Sequence, residues 1–197
     1  FTKEILSRFQ LIVLNHKSGT VWTQDQRLAL QGYLESGGSL IAQHAAGGDQ
    51  GYEWDWYHDH VLKAQFVDHP MAAHIQPADL VVENQDHPAT QHLPRIWQRS
   101  DEWYNFSASP RANTHVLVSI DESTYDPEKS PMGKDHPLVW WHKVGEGQVF
   151  YSALGHTTET YQESHFRKFM RGAIVWGLSE AEKKGLVTKG AVIKEPH

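Results

Sequence analysis

The chain of 197 residues has no cysteine. That excludes thiol nucleophiles, cysteine-ligated zinc and disulfides together, and it suits either the cytoplasm or an exported, periplasmic bacterial setting. There is no apolar run long enough to cross a bilayer as a helix, so a soluble protein with no membrane partner is expected. Basic residues are outnumbered, 18 Lys and Arg against 24 Asp and Glu, and form no stripe, so no nucleic-acid partner is expected. Three catalytic or phosphate-binding fingerprints are also missing: Gly-x-x-x-x-Gly-Lys-Ser/Thr, Gly-x-Gly-x-x-Gly and Gly-x-Ser-x-Gly. The pair Gly47-Gly48 is too weak a signal to imply a nucleotide. The chain opens on Phe1 rather than Met, which leaves room for an upstream piece such as a signal peptide.

What is present is a surplus of histidine and tryptophan, 14 and 8 residues. Histidine in excess suggests proton transfer or metal binding, and tryptophan suggests stacking on sugars, although both also serve as core or surface residues. Leu11-Ile-Val-Leu14 reads as a buried parallel strand. Thr23 with Gln26 has the form of a capping box that opens a helix burying Leu30, Tyr33 and Leu34 and stopping at Gly37-Gly38. Ser39-Leu-Ile-Ala-Gln43 follows at once as a second strand, which makes a βαβ unit with a right-handed crossover. The aromatic stretch from Tyr52 to Phe66 is expected to be a helix packed at one end of the sheet. Leu80–Glu83 and Trp97–Ser100 read as short strands of an antiparallel extension. Val116–Ile120, Leu138–His142 and Gln148–Ser152 are three more strands, the last two joined through Gly145-Glu-Gly147. A helix opening at Ser164 carries Phe166, Phe169, Met170, Ala173 and Ile174 on one face and is expected to end near Gly177.

In an open parallel sheet, ligands bind beyond the carboxyl ends of the strands. Two strands deliver a histidine there: Gln43-His44, and Ala153-Leu-Gly-His156. Each is either a structural histidine at a strand end or part of a site. Between them in sequence lies Asp101-Glu-Trp-Tyr104. In a strand, Asp101 and Glu102 point to opposite faces, so one faces a pocket while the other holds a turn or pairs with Arg99 or Arg111. A carboxylate walled by Trp103 and Tyr104 would be tuned for acid–base work. His44, Glu102 and His156 are therefore the candidate catalytic set, and equally the candidate ligands of a divalent metal, the one cofactor considered. Gln43, Trp54, Trp56, Asp101, Trp103, Tyr104 and His142 are the candidate substrate-binding residues. Asp-His-Pro occurs three times, at Asp68, Asp86 and Asp135. These motifs read mainly as turn chemistry, with His136 the expected exception because it precedes a buried strand.

Five motifs in order, Leu40–Ala46, Asp101–Tyr104, Asp121–Tyr125, Asp135–Pro137 and Ala153–His156, resemble the trehalose-utilisation (ThuA-like) family. The resemblance runs from Phe1 to Leu178, with 179–197 left as a C-terminal tail. It implies an α/β, flavodoxin-like fold of the class I glutamine amidotransferase type: a mostly parallel sheet, helices on both faces and a small antiparallel extension. It also implies sugar catabolism without the Cys–His catalysis of that superfamily, with a sugar oxidoreductase as a pathway partner. The family normally opens with a βα unit ahead of the segment matching Phe1, and that unit is expected to be missing here.

Three functions follow as expectations. The first is an enzyme moving a proton next to the carbonyl of a keto-disaccharide (isomerisation, epimerisation or elimination), with His44 or Glu102 as base and His156 as acid. In that reading Tyr104 or Gln43 hold hydroxyls, and Trp54, Trp56 and Trp103 form a stacking wall. The second is a carbohydrate-binding module without catalysis, and the third a metal-dependent hydrolase built on His44, His156 and a carboxylate. A small-molecule sugar is the expected partner in each, and a homo-oligomer is an open alternative.

Overall fold

Thr23 caps the first long helix as its sequence suggests: its hydroxyl accepts from the Gln26 amide and the Gln26 side chain accepts from the Thr23 amide. A computed structural model describes residues 1–48 and 54–183. In chain order its elements are α1 (Lys3–Leu6), β1 (Leu11–Asn15), α2 (Gln24–Glu35), β2 (Ser39–Gln43), β3 (Phe66–Asp68), β4 (Gln76–Val82), β5 (Ile96–Asp101), β6 (Asn105–Phe106), β7 (His115–Ile120), β8 (Pro137–Val144), β9 (Gly147–Ser152) and α3 (Ser164–Lys183).

Seven strands form one sheet in the order β1-β2-β9-β8-β7-β4-β5, and β3 pairs with β6 in a small second sheet. Pairs β1–β2 and β2–β9 are parallel, whereas β8, β7, β4 and β5 are added antiparallel. The antiparallel extension is thus larger than the two short strands expected from sequence. Every residue of β2 and β9 is buried, as required of strands covered on both faces. α3 packs against β1, β2 and β9, and α2 reaches β9.

The register decides where the site lies. Asn15 pairs with Gln43, and Gln43 with Ser152, so β1, β2 and β9 end flush. The next residues, His16, His44 and Ala153, share one edge of the sheet. On the other side, β4 and β5 pair Gln76 with Asp101, which brings the residues just before β4 beside those just after β5.

Two local expectations change. Among the described residues between Tyr52 and Phe66 the helix is short: Asp55 and Trp56 are α-helical and Tyr57–Leu62 is wound as a π-helix ended by Lys63 at φ 60°; Tyr52 lies outside the described residues. α3 runs through Gly177 to Lys183, so the helix continues into the segment expected to be tail; the rest of that tail, 184–197, lies outside the described residues. There the Gly177 carbonyl accepts from the Ser39 hydroxyl at 2.9 Å, which ties the helix to β2. No helix among the described residues is long and apolar enough to cross a membrane.

Candidate active site: a buried glutamate ringed by histidines

Glu102 sits one residue past β5, with its side chain only 4% exposed, and four imidazoles converge on its carboxylate. Oε2 lies 3.0 Å from His44 Nε2 and 3.3 Å from His156 Nδ1. Oε1 lies 3.3 Å from His69 Nε2 and is also in contact with His74 Nε2. Burial pushes the Glu102 carboxyl up, but hydrogen bonds from His44 and His74 outweigh that and hold it at about 2. It is an anion at every physiological pH.

His44 enters from the end of β2 on a left-handed turn, φ 50°. A non-glycine residue in that conformation is strained, and such strain clusters at functional sites. Its Nδ1 donates to the Ala153 carbonyl at 2.8 Å, since a carbonyl can only accept. Its Nε2 faces both Glu102 Oε2 and the Tyr104 hydroxyl, each at 3.0 Å. His156 Nδ1 is also 3.0 Å away. Tyr104 stacks on the His44 ring, centroids 4.3 Å apart. Burial, first, and then the neighbouring Tyr151 and Glu102 push the Tyr104 phenol far up, so it stays protonated.

Asp101 does a different job from its neighbour. It is fully buried and accepts from Arg99 Nη1 at 2.6 Å, the Gly155 amide at 2.7 Å, the His156 amide at 2.9 Å and the Glu102 amide at 3.0 Å. Strand alternation calls for one carboxylate at the pocket and the other on a turn or an arginine; the second is Asp101, which was expected to bind substrate but is fully buried with its oxygens taken by Arg99 and backbone amides. Asp101 is therefore the anchor that sets the Gly155-His156 loop against Glu102. Arg99 is fixed in turn by Glu163, to which Nε and Nη2 both donate.

Other predicted residues fall around this centre or away from it. Gln43 is buried and donates to the Tyr161 hydroxyl at 2.9 Å, which donates on to Asn15, so it braces the sheet edge. Trp103 is buried and its indole donates to the Gln76 carbonyl; it is core, not an open stacking wall. Trp54 and Trp56 stack on each other at 5.3 Å and stay partly exposed. His142 pairs with Val149, three rungs from the Val139–Ser152 pair at the site edge, and bonds the His60 carbonyl. It does not reach the site. His136 also stays outside: it donates to the Tyr104 carbonyl and pairs with Glu122, so it supports Tyr104 through the backbone.

Sequence reasoning missed His69 and His74, and with them His16. His69 belongs to the first Asp-His-Pro, where only turn chemistry was expected; the signal was there but was assigned to His136. β3–β6 pairing carries it in, with Asn105 donating to Asp68 at 2.8 Å. His74 precedes β4 by two residues and is placed by the Gln76–Asp101 register. His16 takes a left-handed turn, φ 53°, and its Nε2 donates to the Gly155 carbonyl.

An α/β sheet that ends its parallel strands on a histidine and carboxylate cluster defines the class: open α/β folds, which bind ligands beyond the carboxyl ends of their strands. Within it, the profile of the family ThuA, described as trehalose utilisation, matches residues 1–177, and the chain belongs to that family. Among solved structures, a putative ThuA-like protein of Bacteroides uniformis is 27% identical, with a TM-score of 0.76 over 90% of this chain and 73% of that one. A putative ThuA-like protein of Parabacteroides merdae is 19% identical, with a TM-score of 0.67 over 97% of this chain and 76% of that one. A cytoplasmic protein of Salmonella typhimurium LT2 is 15% identical, with a TM-score of 0.63 over 89% and 74%, a likeness of fold alone. No curated protein matches. The family ties the chain to carbohydrate use.

Proposed function

We propose that this protein is an acid–base enzyme of carbohydrate catabolism that moves a proton on the carbon beside the carbonyl of an oxidised disaccharide, such as a 3-keto derivative of trehalose. The observation that carries the reading is the Glu102 cluster: a permanent carboxylate anion ordering several imidazoles at the carboxyl ends of the sheet's parallel strands. His44 and Glu102 are buried, at 1% and 4% side-chain exposure, while His156 is 36% exposed. The group that meets substrate is therefore His156, and the two expected bases work behind it. Glu102 or His44 accepts the His156 Nδ1 proton, which fixes the tautomer and leaves Nε2 as the base, the same orienting logic by which a buried carboxylate serves a catalytic histidine. Burial, first, holds the His156 pKa below its ordinary value although Glu102 opposes it, so the ring is a free base at neutral pH.

In the proposed step, the lone pair of His156 Nε2 takes the proton. The C–H electron pair becomes the C=C bond of an enolate, and the carbonyl oxygen takes the negative charge. Return of the proton to the other face gives epimerisation; return to the former carbonyl carbon, with the hydroxyl proton of the first carbon passing to the enolate oxygen so that the first carbon becomes the carbonyl, gives isomerisation. Loss of a β-substituent instead gives elimination. The keto group must be made beforehand, so an oxidoreductase acting on the disaccharide is the upstream partner.

The test is proton NMR of 3-keto-trehalose with the protein in D₂O. The reading expects enzyme-dependent deuterium uptake beside the carbonyl, reduced about 10²–10⁴-fold in His156→Ala. Uptake no faster than in buffer, with divalent metal supplied, would overturn it for this substrate, and release of free glucose without deuterium would favour hydrolysis.

A further inference from the structure

We propose that Glu102 Oε1, His69 Nε2 and His74 Nε2 form a binding site for one divalent first-row transition ion, on the carboxylate oxygen that His44 and His156 do not face. The three donor atoms lie within 4.8 Å of one another, and so do those of the inner set, His44, Glu102 and His156. The hydrogen-bond pattern separates the two.

His44 Nε2 has a hydroxyl donor beside it, that of Tyr104 at 3.0 Å, as well as Glu102 Oε2 at 3.0 Å. His69 has no such donor. Its Nδ1 donates to the Pro70 carbonyl at 3.0 Å, so in the neutral ring Nε2 carries only a lone pair. That lone pair faces Glu102 Oε1 at 3.3 Å, and no donor among the described residues faces it. Two acceptors at that distance are bridged either by a proton or by a metal ion. A second-shell carbonyl on the remote ring nitrogen is also the usual way a metal-binding imidazole is oriented.

The site has an entry path and is built before any ion arrives. His74 is 48% exposed, and its ring stacks on His69 with centroids 4.9 Å apart. The loop between them is fixed from outside. Glu128 accepts from the amides of Met71 and Ala72 at 2.9 and 2.7 Å, and Asp68 accepts from Asn105 and Ser130. Two imidazoles and one carboxylate are the donor set that first-row ions such as Mn²⁺, Fe²⁺ and Zn²⁺ share, with positions left open for substrate oxygen. Ca²⁺ and Mg²⁺ prefer all-oxygen sites. The ion's presence stands on this geometry alone. Its role, polarising the carbonyl of the substrate as a Lewis acid, rests on the function proposed above.

The test uses full-length protein purified without a polyhistidine tag, stripped with chelator and titrated calorimetrically with ZnCl₂ and with MnCl₂, no substrate present. One ion per chain is expected to bind for at least one of the two, with affinity reduced about 100-fold in His74→Ala. His156→Ala is expected to bind within about 3-fold of wild type, a difference below about 0.7 kcal/mol. Because His74 is on the surface, its variant keeps the fold, checked by an unchanged urea midpoint. The proposal is overturned if neither ion binds more tightly than about 1 mM, which would mean that a proton alone bridges His69 and Glu102. It is equally overturned if His156→Ala abolishes binding and His74→Ala does not, which would place the ion on the inner set. Since no sugar is involved, failure of the keto-sugar reading leaves this result untouched, and failure here leaves deuterium exchange to be judged separately.

Discussion

Replacing Asp101 with alanine tests how the site is held in place. The carboxylate is fully buried and is the partner of a guanidinium whose side chain is 2% exposed. It also satisfies three backbone amides, those of Glu102, Gly155 and His156. Removing one partner of a buried ion pair costs roughly 3–5 kcal/mol, because the other charge is left buried. Here Glu163 still takes two bonds from Arg99, which lowers that part of the cost. The orphaned amides raise it again, at about 1–3 kcal/mol for each that stays dry. These effects overlap, and the net expectation for Asp101→Ala is a loss of about 4 kcal/mol. Urea denaturation read by tryptophan fluorescence and by far-UV circular dichroism measures it as a fall in midpoint at constant slope. Asp101→Asn keeps the shape and one acceptor oxygen, and should lose about half as much. A loss under about 1 kcal/mol for the alanine variant, with coincident transitions by both probes, would refute the reasoning, since it is typical of an exposed pair rather than a buried one.

Acid should unfold the protein through two kinds of group. Burial holds His87 and His142 at about 4; they are neutral in the fold but protonate near 6.5 when unfolded, so the unfolded state binds more protons between those values. Stability is therefore full above about pH 6.5 and falls by up to about 3 kcal/mol per group by pH 4; His87→Leu should flatten that limb, and an unchanged limb would contradict the assignment. Glu102 acts lower, because its folded value of about 2 lies below its unfolded one: its contribution is present above about pH 4.5 and lost as pH falls towards 2, so the stability gap between wild type and Glu102→Gln should close over that window. Gly172 in α3 lies where a Cβ would come 2.2 Å from the Pro88 carbonyl oxygen and 2.6 Å from the Ala89 Cα. Gly172→Ala should therefore destabilise by about 2 kcal/mol or more despite the roughly 1 kcal/mol that alanine gains in a helix. A raised midpoint would show that the helix shifts freely.

Much of this architecture is legible in the sequence because it is locally encoded. The capping box at Thr23, the apolar run of β1 and the Gly37-Gly38 stop need only neighbours in the chain. The strand ends that deliver His44 and His156 follow from the same local patterns once β2 and β9 are taken as parallel. The split of labour between Asp101 and Glu102 came from strand alternation alone. What escaped depends on long-range register. His74 meets Glu102 only because β4 and β5 pair Gln76 with Asp101, and His69 arrives through a short pairing of β3 with β6. His142 was misplaced for the converse reason. It ends an apolar run, but β8 runs antiparallel to β9 and carries that residue away from the edge. Trp103 was assigned to a wall because tryptophan stacks on sugars, whereas its indole is used by the Gln76 carbonyl in the core.

The most direct test of the central claim is deuterium exchange by Glu102→Gln, set beside wild type on the same keto-sugar at neutral pH. Glutamine keeps the volume but removes the anion that orders the four imidazoles. The account predicts exchange at least about 100-fold slower, consistent with losing an oriented acid–base group, with the far-UV spectrum unchanged. Exchange at the wild-type rate in that folded variant would contradict it, because the proton would then move without the carboxylate on which the whole site converges.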